Sequence, residues 1–281
     1  MKNKWLKLAV VACGMLVMVG CGNSSSAGDS SDSKNTSSET AKKENGQVTF
    51  YIVRHGKTML NTTDRVQGWS DAVLTPAGEE VVTDAGKGMQ DINFTSAYSS
   101  DSGRAIQTAQ MILDENKDSS KLQIKTDPRF REFNFGSYEG DLNETMWTDI
   151  AKSQGKTLEE WTNEGVSPKN FANSVAALDK DRVEDGVNWP AEDYVTIEAR
   201  LKAGLTEIAE KESKSGDHNV LLVSHGLSIS ALIDTLFDGF TLPTGGLKNA
   251  SVSIITYKDG EFTLGEVNDL SYLEKGATES K

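Results

Sequence analysis

Hydrophobic and polar positions divide the chain into three stretches. Residues 8–20 carry no charge, residues 22–46 carry no Val, Ile, Leu, Met or aromatic side chain, and from Val48 onward short apolar runs alternate with helical-period segments. Val48-Thr49-Phe50-Tyr51-Ile52-Val53 is β-branched and aromatic, which predicts a buried strand broken at Arg54-His55-Gly56. Thr75 as N-cap and Pro76 at the first helical position predict a helix with Val81, Ala85 and Met89 on one face. A short strand around residues 97–99 leads into a helix from Gly103, where Ala105, Ile106, Ala109, Ile112 and Leu113 keep helical spacing. Residues 122–125 read as a strand, and residues 141–189, with weak helical patterns only, read as an insertion. Ile197, Leu201, Leu205 and Ile208 mark a long amphipathic helix, residues 220–223 a second fully buried strand, and residues 227–237 another helix. Residues 252–257 and 261–267, joined across Asp259-Gly260, predict a closing hairpin. This alternation implies an α/β class: a three-layer α/β/α sandwich with a mostly parallel sheet, covered on both faces and edged by the antiparallel hairpin.

The first two stretches change what the chain is expected to be. Lys2, Lys4 and Lys7 before the apolar run give the basic and hydrophobic regions of a signal peptide over residues 1–20. Thirteen helical residues span about 20 Å, short of the roughly 30 Å hydrocarbon core of a bilayer. The run ends Met18-Val19-Gly20-Cys21, which resembles a bacterial lipobox, with Cys21 the expected lipidation site and membrane anchor. Residues 21–46 include eight serines and too little apolar surface to offset the entropy of ordering, so they read as a flexible tether. Its root-mean-square reach is about 25–30 Å. The folded domain is expected over residues 47–275, as a monomer held outside the cell membrane.

The 281 residues carry 29 basic and 42 acidic side chains, a formal charge of −13. Loss of residues 1–20 removes three lysines and no acids, leaving −16. That balance disfavours nucleic acid as a partner, because phosphate backbones are held by Lys/Arg patches. Cys13 and Cys21, the two cysteines, make neither a disulfide framework nor a thiolate metal site. No metal and no cofactor is expected.

Both informative histidines follow predicted strands, and each precedes a glycine: His55-Gly56 and His225-Gly226. Arg54 lies beside the first, Thr58 and Asn61 in the same loop, and Arg104 at the start of the helix after another strand. Two guanidiniums, two imidazoles and a helix N-terminus on one sheet edge describe a pocket for a dianionic tetrahedral group. Arg54-His55-Gly56-Lys57-Thr58-Met59-Leu60-Asn61 resembles the R-H-G-x-[ST]-x-x-N signature of the histidine phosphatase superfamily, in its phosphoglycerate mutase-like branch. Gln67-Gly68-Trp69-Ser70-Asp71 with Leu74-Thr75-Pro76-Ala77-Gly78 resembles the family's next segment, and Ser99 to Thr108 its second-arginine segment. Glu132 with Phe135-Gly136 and Glu139-Gly140 resembles its acidic loop, and Val223-Ser224-His225-Gly226 its second histidine motif.

The resemblance implies roles at matching positions. His55 is the expected nucleophile and carrier of a phosphohistidine, and must be neutral to attack. Arg54, Arg104, Thr58, Asn61, Gln67, Gly68 and Gly226 are expected around the small phosphorylated substrate. His225 is expected to stabilise charge in the transition state, and Glu132 to protonate the leaving alkoxide and then deprotonate water. His218 reads as a surface turn, Trp69 as a packing residue, and Arg129 and Arg131 as solvated loop charges. Pro190-Ala191-Glu192-Asp193 departs from the Gly-Glu-Ser of many relatives, which leaves a pocket role for Glu192 open.

Phosphatases and mutases of this family share the phosphohistidine. After Glu132 the chain has Phe133-Asn134-Phe135-Gly136, whereas mutases resemble E-R-H-Y-G; an apolar Phe133 is poorly suited to grip a second anion and favours water as acceptor. An exported mutase would also lack its cytosolic substrates. The expectation is therefore a metal-independent phosphomonoester phosphatase. The alternatives are a mutase-type phosphotransferase and a non-catalytic lipoprotein that binds phosphorylated ligands. Residues 141–189 are expected to cap the pocket and set specificity.

Overall fold

The computed structural model describes residues 45–165, 167–184, 186–237, 240, 243 and 245–279. The expected signal, Cys21 and all but the last two residues of the tether lie outside the described residues. The elements run β1 (Val48–Arg54), α1 (Met59–Thr62), α2 (Pro76–Gly88), β2 (Ser96–Ser99), α3 (Gly103–Asp114), β3 (Ile124–Thr126), α4 (Asn143–Ser153), α5 (Leu158–Asn163), α6 (Pro168–Asp179), α7 (Tyr194–Glu212), β4 (His218–Ser224), α8 (Gly226–Leu236), β5 (Val252–Lys258), β6 (Glu261–Leu264) and α9 (Ser271–Glu279). They form one six-stranded sheet in the order β3-β2-β4-β1-β5-β6. The first four strands in that order are mutually parallel, and the β5–β6 hairpin adds an antiparallel edge beside β1. The α/β class and mostly parallel sheet expected from the sequence are the ones observed.

Period-two alternation explains why β1 and β4 read as unbroken apolar runs. Phe50, Ile52, Val220 and Leu222 face one buried layer with α4 to α8, while Val53, Leu221 and Val223 face the other with α2 and α3. With helices on both faces, neither side of these strands is left for polar residues. On α2 the predicted Ala85 and Met89 are fully buried with Val82, and Val81 packs partly buried against the same core. α9 crosses α2 at backbone distance. A Cβ on Gly88 would lie 1.8 Å from the Tyr272 carbonyl oxygen, and one on Gly276 1.8 Å from that of Asp84.

The 141–189 stretch is more regular than expected: α4 buries Met146, Ile150 and Ala151, and α6 buries Phe171, Ala172 and Val175, each at helical spacing. Thr157 and Glu160 form a capping box on α5, and Ser167 caps α6 ahead of Pro168. The insertion is tied to the main body by Asp179, whose buried carboxylate accepts from the Ser137 amide (2.8 Å), the Ser137 hydroxyl (2.6 Å) and the Ala191 amide (2.8 Å). That carboxylate sits 2.1 Å from where a Cβ of Gly136 would be, and Gly136 has φ +59°. Glycine is required there on both counts.

Candidate active site

Parallel pairing of β1 with β4 sets Arg54 opposite Ser224, so the next residues, His55 and His225, emerge side by side at the carboxyl end of the sheet. Ligands of open α/β sheets bind at this edge. The two rings lie 5.1 Å apart, centroid to centroid, and both are buried. Nδ1 of His55 is 2.8 Å from the Gly56 carbonyl, and Nε2 is 3.3 Å from Nε of Arg104. A carbonyl can only accept and the guanidinium N–H can only donate, which assigns the proton to Nδ1 and a lone pair to Nε2. Burial first, then the Arg104 and Arg54 guanidiniums, hold the His55 imidazole well below its ordinary pKa. The neutral ring therefore carries its lone pair on Nε2, on the side of Arg104. Burial likewise depresses the pKa of His225, followed by Arg104, His55, Arg200 and Arg54.

Arg104 is held by its surroundings before any substrate arrives. Its Nη2 donates to the Gly68 carbonyl (2.7 Å), and Nη1 to the Ser70 carbonyl (3.0 Å) and Asp71 (2.9 Å). Those carbonyls belong to a loop folded around Glu139. Its carboxylate accepts from the amides of Gly68 (3.1 Å), Trp69 (2.8 Å), Ser70 (3.0 Å) and Phe135 (3.1 Å), and from the Ser70 hydroxyl (2.7 Å). Arg54 donates through Nη1 to the Leu247 carbonyl, and Asn249 donates to the His55 carbonyl (2.8 Å), so the segment before β5 steadies both residues. A Cβ on Gly226 would lie 3.2 Å from Nε of Arg54. The glycine lets that guanidinium lie against the first turn of α8.

Thr58 and Asn61, expected around the substrate, both engage Gln67. The Thr58 hydroxyl (2.7 Å) and the Asn61 amide (3.3 Å) both donate to its Oε1, and Thr58 and Asn61 cap α1 reciprocally. The effect is to orient Gln67, whose Nε2 is buried with no protein acceptor. Nε of Arg54 and both ring nitrogens of His225 are buried without a protein partner in the same way. Buried polar atoms are nearly always hydrogen-bonded, so donors left open together mark a place for an anion.

Glu132 lies on the same edge. Its Oε1 accepts from the amides of Phe133 (3.0 Å) and Ser228 (2.8 Å) and the Ser228 hydroxyl (3.0 Å), while Oε2 accepts from the Leu227 amide alone (3.1 Å). The carboxylate thus caps the first turn of α8, and Oε2 keeps a lone pair for proton transfer. Phe133 is fully buried and packs near Phe135. Trp69 donates to the Glu132 carbonyl (3.0 Å) and is covered by Arg131 at 4.6 Å and by Trp189 at 5.7 Å, which agrees with a packing role. Arg131 is engaged with Asp101 (2.7 and 2.6 Å) and Glu192 with Arg200 (2.8 and 2.9 Å). His218 opens β4, with its ring nitrogens on Ser215 and Thr95, at the opposite end of that strand from His225.

Glu139, Asp71, Asn249, Glu192 and Arg200 support the site; Asp71 and Glu139 lie in segments that resemble the family, Glu192 in one that departs from it, and Asn249 and Arg200 carry no motif-level signal. An open groove of about 1000 Å³ lies within the insertion, lined by residues such as Trp161 and Phe171 and by none of the histidine cluster. The insertion reaches the catalytic edge through Trp189, against Trp69.

Residues 50–270 match the histidine phosphatase superfamily (branch 1). A "Probable phosphoglycerate mutase GpmB" of Enterobacter sp. (strain 638) is 29% identical over 237 residues, covering 81% of this chain and 95% of that one. The crystal structure of a phosphoglycerate mutase from Bacillus anthracis str. Sterne is 41% identical and superposes with a TM-score of 0.76, covering 83% of this chain and 98% of that one. A mycobacterial glucosyl-3-phosphoglycerate phosphatase shares the fold at 23% identity and a TM-score of 0.55, over 79% of this chain and 99% of that one.

Proposed function

The chain belongs to the histidine phosphatase superfamily, and on that premise we propose that it is a phosphomonoester phosphatase working through a phosphohistidine on His55. The observation that carries this reading is the set of unpaired buried donors on Arg54, Gln67 and His225, together with a neutral His55 whose lone pair is on Nε2, where it accepts from Nε of Arg104. In the first step Nε2 attacks phosphorus, the P–O bond breaks, and the leaving alkoxide takes a proton from Glu132. The phosphorylated ring keeps its Nδ1 proton on the Gly56 carbonyl, which steadies the charge it acquires. In the second step Glu132 removes a proton from water, water attacks phosphorus, and the P–N bond breaks to give inorganic phosphate and neutral His55. Arg54, Arg104, Gln67 and His225 offset the charge on the equatorial oxygens in both steps. Every group this sequence needs is a side chain of the protein, with no metal in any role.

Water is preferred as acceptor because the two arginines that flank the backbone at Glu132 are committed. Arg131 is engaged with Asp101 and Arg200 with Glu192, and the position after Glu132 is a buried phenylalanine. A second reading, phosphoglycerate mutase activity, is favoured by the Enterobacter and Bacillus anthracis relatives, which are named as phosphoglycerate mutases at 29% and 41% identity. The two separate in one assay. With 3-phosphoglycerate, a phosphatase releases inorganic phosphate and glycerate, while a mutase gives 2-phosphoglycerate with phosphate release far slower. Hydrolysis of para-nitrophenyl phosphate in chelator, abolished by His55→Ala and accompanied by an acid-labile ³²P-protein, supports the phosphohistidine. No turnover would leave a phospho-ligand-binding protein. We place the enzyme outside the cell membrane, anchored through lipid on Cys21; Cys21→Ser is then released to the medium, and unchanged membrane retention would count against the anchor.

A further inference from the structure

We propose that Arg200, with Glu192, is the positioning residue of the acid/base Glu132, an inference that rests on the role given to Glu132 above. Arg200 projects from α7, outside every motif quoted for the family, yet each of its five N–H donors has an acceptor. Nη1 donates to the carbonyls of Arg129 (2.8 Å) and Arg131 (2.8 Å), and Nη2 to the Glu132 carbonyl (3.0 Å) and Glu192 Oε2 (2.9 Å). Nε donates to Glu192 Oε1 (2.8 Å). Glu192 in turn accepts from the Asn134 amide (3.0 Å) and donates its own amide to the Asn134 carbonyl (3.0 Å). The pair therefore grips the backbone before and after the acid/base, at residues 129, 131, 132 and 134.

The opposite side of this segment is joined to α8, where the Ser228 hydroxyl lies 2.7 Å from the Arg131 carbonyl and 3.0 Å from Glu132 Oε1. Glu132 is thus set between two helices, fixed by Arg200 from α7 and by the amide groups of α8. A planar guanidinium with five donors can fill this node and an ammonium with three cannot. With all five donors bound to protein and its charge matched by Glu192, Arg200 has nothing left to offer a substrate. Besides its charge near His225, which Arg200→Lys retains, its effect on turnover passes through the placement of Glu132, and a shift of about 1 Å in such a group costs up to about 100-fold.

The test is the dependence on leaving group, since a general acid matters most when the departing alkoxide is a poor one. The full chain is assayed with 2,4-dinitrophenyl phosphate and with a simple alkyl phosphate, as wild type, Arg200→Met, Arg200→Lys, Glu192→Gln and Glu132→Gln. In kcat/KM, which reports only the steps through departure of the alkoxide, Arg200→Met is expected to lose about 10–100-fold on the alkyl ester and only a few-fold on the dinitrophenyl ester. Arg200→Lys keeps the stem and charge and shows the same selectivity in weaker form, which carries the comparison if Arg200→Met does not fold. In a Glu132→Gln background, Arg200→Met should add no further selectivity. Equal losses on both esters, with Glu132→Gln still selective, would overturn the positioning role. A Glu132→Gln enzyme without leaving-group selectivity would instead overturn the acid/base role itself.

Discussion

Glu139→Gln isolates the support of the catalytic loop from its chemistry. The Glu139 carboxylate accepts five hydrogen bonds, three on Oε2 and two on Oε1, from residues 68–70 and Phe135. The amide of glutamine is best placed with its oxygen at the three-bond position, so its NH2 meets the amides of Trp69 and Phe135. Two charge-assisted bonds are lost and donors face donors. At about 1.5–3 kcal/mol for each bond to a charged group, the variant should be destabilised by about 3–6 kcal/mol. For a domain of this size each kcal/mol lowers Tm by about 2–4 °C. A drop of at least about 6 °C is expected in thermal or urea unfolding. Because the Gly68 and Ser70 carbonyls hold Arg104, kcat/KM should fall as well, even at temperatures where the variant is fully folded. A destabilisation under about 1 kcal/mol with unchanged kcat/KM would show that the loop does not depend on this carboxylate.

Orthovanadate or inorganic phosphate should raise Tm by filling the open donors of Arg54, Gln67 and His225, about 2.7 kcal/mol of stabilisation at a hundredfold excess over Kd, and His225→Ala should weaken that shift without large loss of fold. The two buried histidines are neutral in the folded state while the unfolded chain takes up protons below about pH 6.5. Their contribution to stability is therefore complete above that pH and is lost as pH falls toward the depressed folded-state values, at about 1.4 kcal/mol per pH unit for each ring. Urea unfolding at pH 7.5 and 5.5 measures this loss, which a His55→Gln/His225→Gln double variant should largely lack. Gly88→Ala pushes a methyl group onto the Tyr272 carbonyl and should cost about 1–3 kcal/mol by calorimetry while leaving the distant active site's KM unchanged.

Much of the architecture was legible because it is written in local periods. Apolar runs at β1 and β4, Thr75-Pro76 at the start of α2 and the Asp259-Gly260 turn are each decided within a few residues. The histidine, arginine and glutamate positions were legible as motifs, since the chemistry requires those side chains at strand and helix ends. The insertion showed only weak helical patterns: α5 is six residues long and rests on its capping box, α6 carries a short apolar face through Phe171, Ala172 and Val175, and the Asp179 contacts that tie it to the main body are tertiary. The face of α2 through Ala85 and Met89 was legible, but the backbone approach of α9 at Gly88 and Gly276 was not, because it is a contact between segments far apart in sequence.

By itself, then, the amino-acid sequence determined the α/β alternation, the covered sheet and the residue types of a phosphate-handling edge. Those follow from side-chain periodicity and from spacing along a single segment. Only the tertiary structure decided which donors are left for phosphate and which are already taken. Thr58 and Asn61 turn to Gln67, Arg104 is clasped by a loop that Glu139 builds, and Arg200 closes on three carbonyls around Glu132. A hydrogen bond is a property of two groups brought within 3 Å, and no linear pattern states which distant partner will arrive.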